Sequence, residues 1–195
     1  MSKIFGKNIE NYLNSFGKYV VKQARTNLTK AKKNVSKSLY NSIKYDFVIE
    51  NNGNFSLQFK MDNYGSFIDK GVSGNKKKQS YTDWQGKKQN SPGKGYTTKG
   101  PPIDILSKWI KRKGIKPKGL GTGRSKSYTK KDGTKVKGTG QFISGFAFLI
   151  SRKIKRDGIK GISFFQRPLG LAMKSFPKEF GAELKQDIID TLNNK

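Results

Sequence analysis

Cysteine and histidine are both absent from this 195-residue chain. Without Cys there is no disulfide framework, no thiolate nucleophile and no Cys-rich metal site. Without His, the commonest general base near neutral pH and the commonest metal ligand are missing. Carboxylates are scarce too, 13 Asp and Glu against 41 Lys and Arg. Asp62 with Asp69, or Asp187 with Asp190, could be an acid–base pair or an ion site. Spread over separate elements, they read better as helix-terminal or solvated groups. Gly93-Lys94 and Gly121-Thr122-Gly123-Arg124-Ser125 lack the glycine spacing of a phosphate loop. No catalytic, metal or cofactor-binding residue is expected, and the chain reads as a non-enzyme.

Apolar residues are also few. They make up 33% of the chain, against roughly 45–50% with glycine included in an ordinary globular domain. The core must be small, or much of the chain must be loop. The longest apolar run, Phe146 to Ile150, is far short of the roughly 20 residues of a membrane span. The N-terminus alternates apolar residues with Lys and Asn and shows no secretory pattern. Synthesis in a reducing cytoplasm is the expectation.

What the chain has in excess is positive charge, a formal +28. Solubility needs only about 2–8 net charges, and self-repulsion on this scale favours an anionic partner. Nineteen Lys and Arg against three acids, Asp83, Asp104 and Asp132, lie between Asn75 and Gly140, so sixteen of the 28 net charges fall there.

Read in order, Ile9, Leu13, Phe16, Val20 and Ala24 are spaced by four, three, four and four, an amphipathic helix of about five turns. A basic, polar link, Thr26 to Lys33, follows. Val35, Leu39 and Ile43 then make a short helix or extended connector. Tyr45, Phe47 and Ile49 alternate with polar residues, as do Phe55, Leu57, Phe59 and Met61, and Asn52-Gly53 lies between them. That pattern predicts a β-hairpin over 45–61. Residues 63–72 read as an aromatic turn of helix entering a tight glycine turn. Ile103, Leu106, Trp109 and Ile110 form one helical face after Pro101-Pro102.

The stretch 141–173 organises the rest. Phe142, Phe146, Leu149, Ile150 and Ile154 form a helical stripe, with Arg152, Lys153, Lys155 and Arg156 opposite. Asp157-Gly158 reads as a stop, an aromatic pair follows, and Pro168 opens another helix. Phe180, Leu184, Ile188 and Leu192 mark a final helix with Pro177 in its first turn. The run from Trp109 to Lys116 echoes that from Lys153 to Lys160, as two basic helices each ending in Gly-Ile would.

The expected fold class is α+β. A small antiparallel sheet, the hairpin plus a further strand, packs with N-terminal, central and C-terminal helices in one domain, 1–195. Two long basic loops, at about 74–100 and 116–140, are insertions in it. Lys76, Lys77, Lys78, Lys87, Lys88, Arg124, Lys126, Lys130 and Lys131 are the candidate contacts to DNA or an acidic partner. The loops also carry Tyr81, Trp84, Tyr96 and Tyr128, which could stack on bases or pack against a neighbouring subunit.

Three blocks carry a resemblance. They are Ser38-Leu39-Tyr40-Asn41-Ser42-Ile43, Tyr64-Gly65-Ser66-Phe67-Ile68-Asp69-Lys70-Gly71-Val72 and Ile162-Ser163-Phe164-Phe165-Gln166-Arg167-Pro168-Leu169. In this order, as three short blocks of a match that takes in about half of the chain, they resemble the tail-completion or neck proteins, head–tail connectors, of tailed bacteriophages. The chain departs from that pattern in having Gly71-Val72 where Gly-Thr is usual, in its two basic insertions, and in Pro177, which interrupts what is often a continuous terminal helix. The resemblance implies a virion structural protein at the head–tail junction or tail, assembled in the host cytoplasm. Implied partners are a homo-oligomeric ring, other virion proteins (portal, adaptor or tail rings) and viral DNA in the channel, held nonspecifically; no membrane and no cofactor are implied. Leu39, Ser42, Tyr64, Phe67, Gly71, Phe164, Phe165, Arg167 and Pro168 are the corresponding motif or subunit-interface residues. Charge alone suggests a competing reading, an architectural, non-sequence-specific nucleic-acid-binding protein.

Overall fold

The computed structural model describes residues 6–49, 55–92, 99–115, 128–136 and 142–193. The fold is α+β. Its helices are α1 (Lys7–Lys30), α2 (Ser38–Ser42), α3 (Gly65–Lys70), α4 (Ile103–Arg112), α5 (Phe142–Asp157) and α6 (Gln166–Asn193). The strands are β1 (Lys44–Ile49), β2 (Phe55–Lys60), β3 (Gly71–Ser73), β4 (Ser80–Thr82), β5 (Lys88–Asn90), β6 (Tyr128–Thr129), β7 (Lys135–Val136) and β8 (Gly158–Lys160). Among the described residues every sheet is two-stranded: β1-β2, β3-β8, β4-β5 and β6-β7. The further strand expected beside the first hairpin does not join it.

The chain divides into two compact units. The first is Met1–Gly71, Ser80–Ser91 and Lys160–Lys195, and the second is Val72–Gln79 and Pro92–Ile159. Much of what the sequence presents as insertion around one short helix is therefore a compact unit of its own.

The first unit is built on α1 and α6. The stripe of α1 does not end at Ala24: Leu28, one more step of four, is fully buried and carries the helix through the expected polar link to Lys30. The carboxylate of Asp187, near the end of α6, accepts the backbone N–H groups of Asn8 and Ile9 at 3.0 Å each. At the other end, Asn27 Nδ2 donates to Phe164 O at 3.2 Å. The two helices therefore run antiparallel. Aromatic rings meet between them, Phe16 edge-to-face on Phe176 at 5.1 Å and Phe176 stacked on Phe180 at 5.3 Å. The β1-β2 hairpin pairs from Lys44↔Lys60 to Ile49↔Phe55, and Tyr45, Leu57 and Phe59 face the core. Its expected Asn52-Gly53 turn lies outside the described residues.

Two expectations about the C-terminal helix change. α6 is one continuous helix, with Pro168 in its first turn and Pro177 inside it. An interior proline forfeits a backbone bond and costs about 3 kcal/mol; here the Phe176 and Phe180 rings, stacked 12° from parallel, hold the helix on both sides of it. The row Phe176, Phe180, Leu184, Ile188, Leu192 is also not one buried face. A step of four residues advances about 40° beyond a full turn at 3.6 residues per turn, so the row winds off the packed side. Phe176 and Phe180 meet the core rings, but Leu184, Ile188 and Leu192 are 40%, 53% and 67% exposed.

In the second unit α4 packs on α5. Ile110 and Ala147 are fully buried. The two echoed segments end their helices alike, with Gly114 at φ 62° and Gly158 at φ 75°. Gly158 is required twice over, because a Cβ there would also meet Val72 O at 2.2 Å. Leu149, expected in the buried stripe, is half exposed; Ala147 occupies the tight contact instead.

The Asp187 cap generates a stability prediction. Asp187→Ala strips the acceptor from two N-terminal amides of α1 and lowers unfolding free energy by about 1–2 kcal/mol, measured by urea denaturation. Truncating fully buried Phe164 to Ala costs about 3–5 kcal/mol by the same measurement.

Candidate assembly surfaces

The three blocks that carry the resemblance meet in the first unit. Ser42 Oγ donates to Leu39 O and accepts the Asp62 N–H, both at 3.0 Å, which ties the first block to the end of the hairpin. The second and third blocks meet at Asp69. Its Oδ1 accepts the backbone N–H of Phe165 at 2.8 Å and that of Gln166 at 3.4 Å, capping the start of α6. Ile162 N–H donates to Ile68 O and Ser163 N–H to Asp69 O, at 3.1 and 2.9 Å. Asp69 and Asp187 are thus both helix-terminal groups, each accepting backbone amides at the start of a helix.

Burial pushes the Asp69 carboxyl up from its ordinary pKa, against the stabilising pull of the Phe165 and Gln166 amides and of Lys70. The negative end of this cap is therefore held in place at a desolvation cost.

Part of the expected 74–100 arm is fixed to the same junction. β4-β5 is a hairpin paired from Ser80↔Asn90 to Thr82↔Lys88. Asp83 makes its turn, with Oδ1 accepting the Gln85 and Lys87 N–H groups at 3.0 and 2.8 Å. The Gln89 amide first, then those backbone amides, hold the Asp83 carboxyl below the usual range. Ser163 Oγ donates to Thr82 O at 3.0 Å, and Ser91 Oγ donates to Lys70 O at 2.6 Å. Trp84 N–H donates to Gln166 Oε1 at 3.1 Å. The signal in the sequence was Asp83 with Gly86, the latter at φ 83°; the strands themselves are too short and polar to show a period. Asp132-Gly133 makes the β6-β7 hairpin the same way, with Asp132 Oδ1 accepting the Thr134 N–H at 2.9 Å.

The motif residues divide by burial. Leu39, Gly71, Phe164, Phe165 and Pro168 are inside the protomer. As buried groups they build the fold and are not available as interface residues. Gly71 closes α3 at φ 76°. Tyr64 and Phe67 are exposed on or beside α3. Arg167 is exposed and lines a hollow of about 330 Å³ with Trp84, Leu171 and Lys174. Leu171 and Trp84 are themselves about half exposed.

Comparison with known proteins adds no relative: no family model, curated protein or solved structure matches this chain. The surfaces must be judged on their chemistry. In the first unit they are the Leu184-Ile188-Leu192 row and the aromatic positions Tyr64, Phe67 and Trp84. Lys87 and Lys88 are exposed at the end of the β4-β5 turn. In the second unit Lys76, Lys77 and Lys78 are exposed beside the last turn of α5, and Lys130 and Lys131 are exposed in the β6-β7 turn. Arg124 and Lys126 lie outside the described residues. Sequence reading missed the whole α6 row as surface, because its apolar spacing imitates a core face.

Asp69 supplies the test of this junction. Asp69→Ala leaves two amides without an acceptor and costs about 2 kcal/mol, whereas Asp69→Asn keeps an acceptor and costs less than about 1 kcal/mol. A carboxyl raised above its unfolded value of about 3.9 is protonated longer in the native state. Its contribution to stability therefore falls as pH rises from about 4 through the folded value. Urea titrations across this range should show wild type losing stability relative to Asp69→Asn, and a flat difference above it.

Proposed function

We propose that this chain is a virion structural protein, a ring-forming subunit of the head–tail junction of a tailed bacteriophage, of the neck, tail-completion or tail-terminator type. It acts by binding rather than catalysis. Copies join into a ring, the ring is joined to neighbouring rings, and basic segments meet channel DNA or acidic protein surfaces. The observation that supports this most is the open row Leu184-Ile188-Leu192 on α6. An apolar row on a long, well-anchored helix is a surface that water disfavours and another subunit can cover. The convergence of the three resemblance blocks around Asp62 and Asp69 also supports it, since blocks far apart in the chain then describe one junction. Exposed Tyr64 and Phe67 extend the contact area on the second block.

The net charge of +28 favours a second reading, an architectural nucleic-acid-binding protein that works as a monomer. The two readings part on assembly. Gel filtration with light scattering should give a discrete ring, or the chain should co-purify with virions. Ile188→Asp with Leu192→Asp should return it to protomers with no loss of protomer stability, since both side chains are exposed. A monomer that grips DNA, with affinity falling steeply in salt, would sink the connector reading.

A further inference from the structure

The second unit contains a hollow of about 860 Å³ that the connector reading does not use. Lys76, Lys99, Arg152, Lys153, Lys155 and Arg156 line it, and among the described residues Asp104 is its one acidic lining residue. Arg156 is paired through Nε with Asp157 Oδ1 at 2.8 Å. Lys76, Lys99, Arg152 and Lys153 bring further positive charge to the hollow. The lining is nevertheless not simply basic. Pro101, Pro102, Ile103, Phe148 and Leu149 form the rest of it, and Ile103, Phe148 and Leu149 are each between a third and a half exposed.

The walls are fixed by backbone geometry. Ser151 Oγ donates to Pro101 O at 2.7 Å, holding the Pro101-Pro102 turn on α5. Asn75 and Lys76 donate their N–H groups to Lys155 O and Arg156 O at 2.9 and 3.0 Å. The Arg152 guanidinium lies over the Phe148 ring, 5.8 Å from its centroid. Charge and apolar surface are thus interleaved and held in register before any ligand arrives, which lowers the ordering cost of binding.

We propose that this hollow is a docking site for an acidic, apolar segment of a partner protein. Its carboxylates meet Lys76, Lys99, Arg152 and Lys153, and its aliphatic side chains cover Ile103, Phe148 and Leu149. Charge complementarity selects an anion, and the apolar lining selects among anions. A nucleic acid would satisfy the cations but leave Ile103 and Leu149 wet, and the Phe148 ring on which a base would stack already carries Arg152. A peptide alternating acidic and aliphatic residues satisfies both halves. The volume lies within the roughly 300–1,000 Å³ of ligand-binding clefts and cavities, enough for several side chains. This inference goes beyond the ring assignment and does not depend on it, since a monomer would bind the same segment.

The test is fluorescence anisotropy on the full chain with a labelled peptide alternating glutamate and leucine. Controls are a glutamate–serine peptide of equal length and charge, and labelled single-stranded and duplex oligonucleotides. Saturable binding of the leucine peptide is expected, with the serine peptide at least about tenfold weaker, a difference of about 1.4 kcal/mol. Lys76→Glu with Arg152→Glu, both exposed positions, should weaken the leucine peptide at least about tenfold. Ile103→Ser with Leu149→Ser should remove the preference for leucine over serine, with circular dichroism checking that each variant folds. No saturable binding of the leucine peptide overturns the proposal. So does equal binding of the two peptides, which marks a bare electrostatic surface, or tighter oligonucleotide binding lost in the Lys76 and Arg152 variant. None of these outcomes changes the oligomeric state, so failure here and failure of the ring reading are distinguishable.

Discussion

The first unit depends on one buried carboxylate placed at the start of a 28-residue helix. Asp69 and Phe165 are 96 residues apart in the chain and joined by a 2.8 Å hydrogen bond. Around it, two backbone bonds zip Ile68 and Asp69 to Ile162 and Ser163, and the β4-β5 hairpin attaches to both sides through Thr82, Trp84 and Ser91. The carboxyl carries a desolvation penalty, which the amides at a helix start offset only in part. With that point fixed, α6 is aimed back along α1, and Asp187 at its far end caps α1 in turn. Each long helix is thus terminated by a group that another element supplies.

The same junction explains how so basic a segment can be inserted. β3 leaves the junction and β8 returns to it, and the two are hydrogen-bonded to each other. Once the ends of an insertion are held together, its length costs little in closure entropy. The two units also offer different surfaces. The first exposes an apolar row and aromatic side chains, Tyr64, Phe67 and Trp84 among them, suited to contact between copies. The second interleaves cations with aliphatic and aromatic side chains in a walled hollow, suited to a segment with both kinds of group.

Periodicity was a good guide wherever one face of an element is buried along its full length. Ile9 to Ala24 marked α1, the alternation from Tyr45 to Met61 marked the hairpin, and Gly71 and Gly158 marked turns that need positive φ. It failed in three places for identifiable reasons. Pro177 signalled a break that the stacked Phe176 and Phe180 rings override. β4 and β5 carry no apolar period because they are held by side chains of other segments rather than by a hydrophobic face. The apolar row at the end of α6 has the spacing of a core face, yet it winds away from α1.

Alone, then, the sequence determined what is written locally: the first amphipathic helix and the hairpin, the glycine turns at Gly71 and Gly158, the excess of positive charge, and the absence of the side chains that most acid–base and metal chemistry uses. These follow from the conformational preferences and ionisation of single residues and their near neighbours. Only the tertiary structure decided which of the motif residues are core and which are surface. It alone also showed that Asp69 and Asp187 are caps, and that Lys76, Arg152 and Phe148 line one hollow. Those depend on contacts between residues tens of positions apart, whose geometry no local pattern encodes.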